Sequence, residues 1–113
     1  MTVDEFEQHV QRSGLVVERL TVGGQIYLHL NGVRIAGGRH SGTECEVAIL
    51  RTTEVPWAPE AAVHVRPHLV TMGQMNSQTS PVGSDWQYLS RRFDKPGTPK
   101  NFLAHILKVL AET

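Results

Sequence analysis

The chain has 113 residues, of which 40% are hydrophobic and 19% are charged. Eleven Lys and Arg residues balance eleven Asp and Glu residues, so no excess of positive charge favours a nucleic-acid partner. This length suits one domain, residues 1–113, with a single hydrophobic core, and the composition excludes a disordered chain.

The sequence also indicates the cellular compartment in which the protein acts. Cys45 is the only cysteine, so no disulfide can form within the chain. We expect no signal peptide, and the longest apolar runs fall well short of the ~20 residues that a membrane-spanning helix needs. We therefore predict a cytoplasmic protein that does not bind or cross a membrane.

Two amphipathic helices are predicted, one near each end of the sequence. Thr2 and Glu5 have the spacing of a capping box, and the apolar residues that follow recur with helical spacing, so the first helix should span about 3–12. Near the other end, Thr98 is a candidate N-cap and Pro99 a candidate first helical residue. A wide apolar stripe follows them and predicts a closing helix.

Between the helices, the pattern predicts an antiparallel meander of four strands. An apolar, β-branched segment at 15–22 and a segment at 25–30 in which Ile26, Leu28 and Leu30 alternate with other residues are separated by two glycines, which favours a tight hairpin. Asn31-Gly32 is a second turn signal. Further strands are predicted at 44–50 and 61–66, and short connections favour pairing of sequential strands.

The third predicted strand contains the only thiol. Cys45, Val47 and Ile49 share one face of the segment, as in a half-buried strand. An apolar surround raises the pKa of a thiol and limits attack by it, so a core position is favoured over catalysis. Cys45 remains a weak candidate for a catalytic nucleophile.

A proline-rich corner follows this strand. The corner residues are Pro56, Trp57 and Pro59, and the two prolines remove backbone donors, so the strand must end there. After the fourth strand, periodicity disappears from Pro67 to about Asp85, which predicts a long irregular loop that is functional or mobile. The predicted class is α+β, with an N-terminal helix, a four-stranded antiparallel meander, a long irregular loop and a C-terminal helix.

This order of elements resembles the ubiquitin-conjugating-enzyme (UBC) fold, and the motifs are similar to those of the prokaryotic family E of UBC-like proteins. The resemblance implies a UBC-like domain in a bacterial ubiquitin-like protein conjugation pathway. Its partners would be a ubiquitin-like protein, its activating enzyme, or both. The segments that carry the resemblance are Pro56-Trp57-Ala58-Pro59 before Val63-His64-Val65, and Trp86-Gln87-Tyr88-Leu89-Ser90-Arg91-Arg92 before Pro96-Gly97 and the last helix.

Two departures from the family pattern argue against catalysis. A conjugating enzyme carries its cargo as a thioester on a cysteine after the fourth strand, but residues 68–113 contain no cysteine. A hydroxyl near its free pKa would be a far weaker nucleophile. Arg92 stands where the family has a histidine, and a guanidinium cannot transfer protons at neutral pH. We therefore predict a non-catalytic binding or adaptor module.

The predicted partner-binding surface lies after the fourth strand. The loop 68–85 and the basic segment beyond it would meet an acidic partner or the C-terminal tail of a ubiquitin-like protein. Trp86 could instead be structural and cover the last helix, as Trp57 could plug the corner. The residues predicted to bind the partner are His68, Trp86, Tyr88, Ser90, Arg91 and Arg92.

No metal or other cofactor is predicted. His64 and His68 could share a face if the strand continues, but two ligands do not make a zinc site, and no second cysteine or ligand cluster accompanies them.

Two other functions remain open. The protein could be an active conjugating enzyme that forms a thioester through Cys45, if that residue lies on an exposed edge. It could also be a small dimeric adaptor or chaperone unrelated to ubiquitin. The sequence indicates neither the identity of the partner nor the oligomeric state.

Overall fold

The structure is a computed structural model that describes residues 1–91, 93 and 97–113. Within them the chain forms two helices and one antiparallel sheet of six strands. None of the helices in this part of the chain is long and apolar enough to cross a membrane. The elements are α1 (Val3–Arg12), β1 (Val16–Val22), β2 (Gln25–Arg34), β3 (Glu44–Leu50), β4 (Val63–Arg66), β5 (Ser77–Ser80), β6 (Gly83–Leu89) and α2 (Pro99–Ala111).

Both helices lie on the same face of the sheet. The strand order is β1-β2-β3-β4-β6-β5, with every neighbouring pair antiparallel. Phe6 of α1 and Phe102 of α2 are fully enclosed in the main core, together with the residues of the central strands that point towards the helices. We call the opposite face, whose buried cluster contains no helical residue among those described, the helix-free face.

The predicted helices and their caps are confirmed. In α1, the backbone amide of Glu5 donates to Thr2 Oγ1 at 3.1 Å, and the amide of Thr2 donates to Glu5 Oε1 at 2.7 Å. In α2, the amide of Asn101 donates to Thr98 Oγ1 at 3.2 Å, and Pro99 is the first helical residue. These local signals need no tertiary contact because each cap satisfies amides of its own first turn.

The predicted four-stranded meander, and with it the UBC-like arrangement of a meander, a loop and a helix, is wrong. The fold is α+β with a six-stranded antiparallel sheet, because β5 and the beginning of β6 lie inside the segment that is predicted to be an irregular loop. Strand β5 is entirely polar, so it carries no hydrophobic alternation. It is an edge strand that pairs with β6 through its backbone, and backbone pairing does not depend on apolar side chains.

The predicted turn at Asn31-Gly32 is also wrong. Strand β2 continues through both residues, and its register with β3 shifts between Leu30 and Val33. Gly32 has φ +70°, a left-handed conformation that glycine adopts at little cost and that is typical of β-bulges. The same dipeptide that ends a strand in a hairpin therefore bends a continuous strand here.

The proline corner is plugged by Trp57, as one of the two interpretations predicted. Its side chain is 2% exposed, and its ring centroid lies 5.5 Å from that of Phe6 and 5.7 Å from that of Phe102. The indole N–H donates to Thr52 Oγ1 at 3.0 Å. Since a buried indole N–H needs an acceptor, this bond fixes the orientation of the corner against both helices.

A close backbone contact joins the loop before β3 to the end of α2. Gly38 has φ +76°, and a Cβ at this position would fall far inside van der Waals contact with the carbonyl oxygen of Ala111. The loop can therefore approach the helix only because residue 38 has no side chain.

We predict that Gly38→Ala lowers the free energy of unfolding by about 3 kcal/mol or more, because left-handed strain and a backbone collision add. Gly24→Ala is the matched control, since Gly24 has φ +79° and open space around its Cβ position. It should cost only about 1 kcal/mol. Urea unfolding of both variants measures the difference, and equal losses would contradict the collision.

Candidate functional site

The helix-free face carries an unusual mixture of aromatic and charged side chains for the inner part of a sheet. Strand alternation directs these residues away from the helices, and the register places Glu46 opposite Arg66, Ala48 opposite His64, and His64 opposite Tyr88. The face is formed at its centre by Tyr27, His29, Glu46, Ala48, His64, Arg66, Trp86 and Tyr88.

Arg66 is the hub of the charged half of this face. Its Nε and Nη2 atoms donate to both carboxylate oxygens of Glu46 at 2.8 and 2.7 Å, and its Nη1 donates to Asp85 at 3.0 Å. The guanidinium also lies 4.8 Å from the centre of the Trp86 ring. The hydrogen bonds from Arg66 lower the pKa of Glu46. One side chain therefore joins β3, β4 and β6.

His29 extends this network to β2. Its Nε2 lies 2.8 Å from Glu46 Oε1, and its ring is edge-on to Trp86 with the centroids 5.5 Å apart. Glu46 thus accepts hydrogen bonds from the two strands that flank its own. Arg66, Glu46, Asp85 and His29 each have a partner within the network, so the network stabilises the face.

Trp86 does not lie where the sequence placed it. It is 3% exposed and packs in the helix-free cluster with Tyr27, Ala48 and Val82. The interpretation that Trp86 covers the last helix is therefore wrong, because its side chain points to the opposite side of the sheet. A partner on this face would meet Tyr88, which is partly exposed, before it met the indole.

The other predicted binding residues lie at the two ends of β6. His68 is exposed near the beginning of β6, with Nε2 at 3.2 Å from the carbonyl oxygen of Ser84 and 3.1 Å from that of Trp86. Ser90 and Arg91 follow its other end, where Arg91 Nη1 donates to the carbonyls of Ser90 and Met75. Arg92 lies outside the described residues. The predicted set is therefore split into two groups.

Arg91 holds a loop that displays two methionines. Residues 72–76, which we call the methionine loop, end in a turn in which Met75 and Asn76 have φ +52° and +57°, and the amide of Ser77 donates to the carbonyl of Gln74 at 2.9 Å. Two consecutive left-handed residues are typical of a type I′ turn. Met72 and Met75 are 41% and 44% exposed, so the turn presents flexible apolar side chains to solvent.

Gln87 fixes the beginning of this loop and was missed by the sequence analysis. Its buried carboxamide accepts from the amides of Leu69 and Val70 at 3.0 and 3.2 Å and donates to the carbonyl of Val70 at 2.8 Å. A glutamine in a strand is usually expected at the surface. A signal for burial did exist, because Gln87 shares its face of β6 with Leu89.

Cys45 is buried, as its alternation with Val47 and Ile49 predicted. It is 4% exposed and belongs to the main core. Burial, and then the negative charge of Glu46, raise the pKa of the thiol to about 11. A pocket of about 220 Å³ reaches this residue, and its lining is Gly32, Glu44, Cys45, Glu46, Arg66 and Pro67.

No metal site is evident in the part of the chain that the structure describes. No three His, Cys, Asp or Glu side chains converge there, and His64 and His68 are separated because the first is buried in the sheet and the second is exposed beyond it. The corner residues contribute to a second pocket of about 290 Å³, which is lined by Met1, Pro56, Trp57, Ala58, Pro59, Phe93 and Gly97.

The hydrogen-bonded ion pair of Glu46 and Arg66 should stabilise the folded protein more than an exposed surface ion pair does. We predict a coupling free energy of about 1 to 2 kcal/mol from a double-mutant cycle of Glu46→Ala and Arg66→Ala at pH 7, because the bond is bidentate and partly buried. The lowered pKa of Glu46 means that this coupling is full above pH 4.5 and is lost as the pH falls through the folded-state value.

The control cycle uses Lys108 and Glu112, an exposed pair 3.9 Å apart on α2, which should give less than about 0.5 kcal/mol. Equal coupling free energies in the two cycles would mean that the pair of Glu46 and Arg66 stabilises the protein no more than an exposed ion pair does.

Met75 in the methionine loop has a left-handed backbone conformation that is strained for methionine. Met75→Asn should raise the free energy of unfolding by about 1 kcal/mol, because asparagine tolerates the left-handed conformation better than methionine does. Met72→Asn, which removes the same side chain at a position without positive φ, should give no such gain. Thermal unfolding of the two variants compares them, and a loss of stability in Met75→Asn would contradict the strain.

Comparison with known proteins gives no relative: no family model, no curated protein and no solved structure matches the chain. The resemblance to the UBC-like family therefore stays a prediction from short sequence motifs. The function is inferred from the buried thiol and from the exposed residues around β6.

Proposed function

We propose that the protein is a non-catalytic binding module that acts in the cytoplasm in a bacterial ubiquitin-like protein conjugation pathway. The pathway, and a ubiquitin-like protein or its activating enzyme as partner, come from the sequence resemblance. The observation that carries the non-catalytic assignment is the burial of the only thiol, Cys45, in the main core.

A buried thiol is poorly suited to carrying a thioester. The attacking species in thioester exchange is the thiolate, and a rise of the Cys45 pKa from 9.0 to about 11 reduces the thiolate at neutral pH about 100-fold. The carboxylate of Glu46 opposes ionisation further. In the described part of β6 and the segments around it, the chain offers hydroxyls and histidine, with no second thiol.

A thioester-forming enzyme is the second candidate, and one observation favours it. The pocket of about 220 Å³ is lined by both Cys45 and Arg66, so open space lies beside the residue that carries the thiol. Arg66 already gives three of its five N–H donors to Glu46 and Asp85, and these two carboxylates offset the positive charge that would stabilise a developing oxyanion.

The surface that we assign to partner binding comprises the methionine loop together with Tyr88, Ser90 and Arg91. Methionine side chains adapt to different apolar surfaces at little cost, and the strain at Met75 is of the kind that a fold retains at functional positions. Arg91 and Ser90 add polar groups at the rim, where they contribute orientation more than affinity.

The thioester assay tests the non-catalytic assignment. The protein is incubated with ATP and with the ubiquitin-like protein and activating enzyme encoded in the same genome, and non-reducing gels are examined for an adduct. We expect no reductant-sensitive adduct, and we expect a thiol reagent at pH 8 to react with native Cys45 about 100-fold more slowly than with the urea-unfolded chain. An adduct that disappears in Cys45→Ser would overturn the assignment.

Binding is tested separately with the same two proteins by calorimetry. Met75→Asn should weaken binding at least about 10-fold, because it removes an exposed apolar contact. The fold should be at least as stable as before, so the weaker binding cannot be caused by unfolding. Lys108→Asn, an exposed change on α2 far along the chain from the loop, is the control and should bind normally. Unchanged binding by Met75→Asn would place the partner elsewhere.

A further inference from the structure

His64 is the most enclosed titratable side chain on the helix-free face. It is 1% exposed and lies on β4 in the middle of the sheet. The rings of Tyr27 and Tyr88 stand edge-on to it, with centroids at 5.5 and 5.2 Å. Neither the proposed binding surface nor the Arg66 network uses this residue, so its burial needs another explanation.

The hydrogen bonds of His64 satisfy only one of its two nitrogens. Nδ1 lies 2.8 Å from Ser80 Oγ, which also accepts the backbone N–H of Val82 at 3.1 Å. The hydroxyl proton of Ser80 is therefore available for donation to Nδ1. Nε2 is fully enclosed without a hydrogen-bond partner, and the nearest acidic oxygen, Glu60 Oε1, is 3.8 Å away.

The order Ser80, His64, Glu60 is that of an acyl-transfer triad, but the geometry excludes that role in this conformation. Ser80 is 4% exposed, so a substrate carbonyl has no access to its oxygen. The distance from His64 to Glu60 is too long for the bond that would orient the ring. The bond between His64 and Ser80 instead holds the 80–82 turn to the sheet.

We propose that His64 makes the packing of the 80–82 turn against the helix-free face conditional on pH: the turn is held in place while the imidazole is neutral, and acidification releases it. A neutral imidazole fits a site that offers one hydroxyl and two aromatic edges. An imidazolium brings a second N–H donor and a positive charge into the same enclosure. The added donor and the charge can be stabilised only if water enters or the Glu60 carboxylate moves closer to the ring.

Among the residues that the structure describes, only one charged group around His64 could act as its counter-ion, and its Oε1 lies 3.8 Å from Nε2. Burial raises the pKa of Tyr27 on β2, so its hydroxyl carries no charge there, and the ring of Tyr88 on β6 and the apolar Ala48 on β3 pack against the imidazole. Arg66, two residues along β4 on the same face, is cationic and already paired with Glu46 and Asp85. Glu60 is the one facing carboxyl in the described surroundings, and burial raises its pKa, which reduces its negative charge as the pH falls.

The direction of the effect follows from linkage. Burial lowers the pKa of His64 from 6.5 to about 4, so between these values the unfolded chain binds a proton that the folded chain does not. The stabilisation is complete above pH 6.5 and is lost as the pH falls towards 4. From pH 7.5 to pH 5.0, this one group should raise the unfolding equilibrium constant about 30-fold.

The test is urea unfolding at pH 7.5 and pH 5.0 of the wild type and of His64→Asn, whose amide can still reach Ser80 but does not titrate. The rise of the unfolding equilibrium constant from pH 7.5 to pH 5.0 should be about 30-fold smaller in His64→Asn than in the wild type. His9→Asn, which removes a histidine from α1, is the matched control and should keep the wild-type pH dependence. The same pH dependence in His64→Asn and wild type would overturn the proposal.

Two further measurements keep the test decisive if His64→Asn does not fold. In the wild type, the His64 imidazole should remain neutral to below pH 5 in an NMR titration, and a midpoint near 6.5 would refute the proposal. In Glu60→Gln the loss of stability in acid should be greater than in the wild type. The raised pKa of Glu60 contributes stability below pH 4.5 that is lost as the pH rises, so it offsets part of the His64 effect. A smaller loss would also refute it.

Discussion

The structure depends on one constraint: a six-stranded sheet has two faces, and both described helices lie on the same one. The helices cover their face with a conventional apolar core. Among the described residues no helix covers the other face, so side chains of the strands and of the 80–82 turn cover it. Large aromatic rings and paired charges can do this because they cover much area while keeping their polar ends satisfied or near water.

The helix-free face has two parts, one around Arg66 and one around His64, and their side chains differ in chemistry. Around Arg66, every charge has a partner, and the network ties four neighbouring strands together. Around His64, the ring is enclosed with one nitrogen unpartnered. The first half is robust as long as its carboxylates are ionised, whereas the second requires a neutral histidine. The face therefore combines a stable ionic half with a half that responds to acid.

The placement of the functional groups separates stability from binding. The thiol that a conjugating enzyme would need is in the main core, and the two tryptophans support the corner and the helix-free face from inside. What remains exposed near β6 is a strained loop with two methionines, held by Arg91. Such a distribution suits a protein that presents a surface to a partner, and it leaves the chemistry of transfer to another molecule.

The sequence by itself determined the features that depend on local interactions. The caps of both helices, the alternation that buries Cys45, and the first four strands follow from neighbours in the chain. Tertiary structure alone decided that polar β5 becomes a strand, that Asn31-Gly32 bends β2 without ending it, and that Gln87 and His64 are buried. In each case the deciding partner is distant in sequence: β6 pairs with β5, β3 pairs across the bulge, and the buried polar groups find their hydrogen bonds on other strands and loops. Periodicity reports the face of a residue, but the pairing of backbone and polar groups depends on which segments the fold brings together.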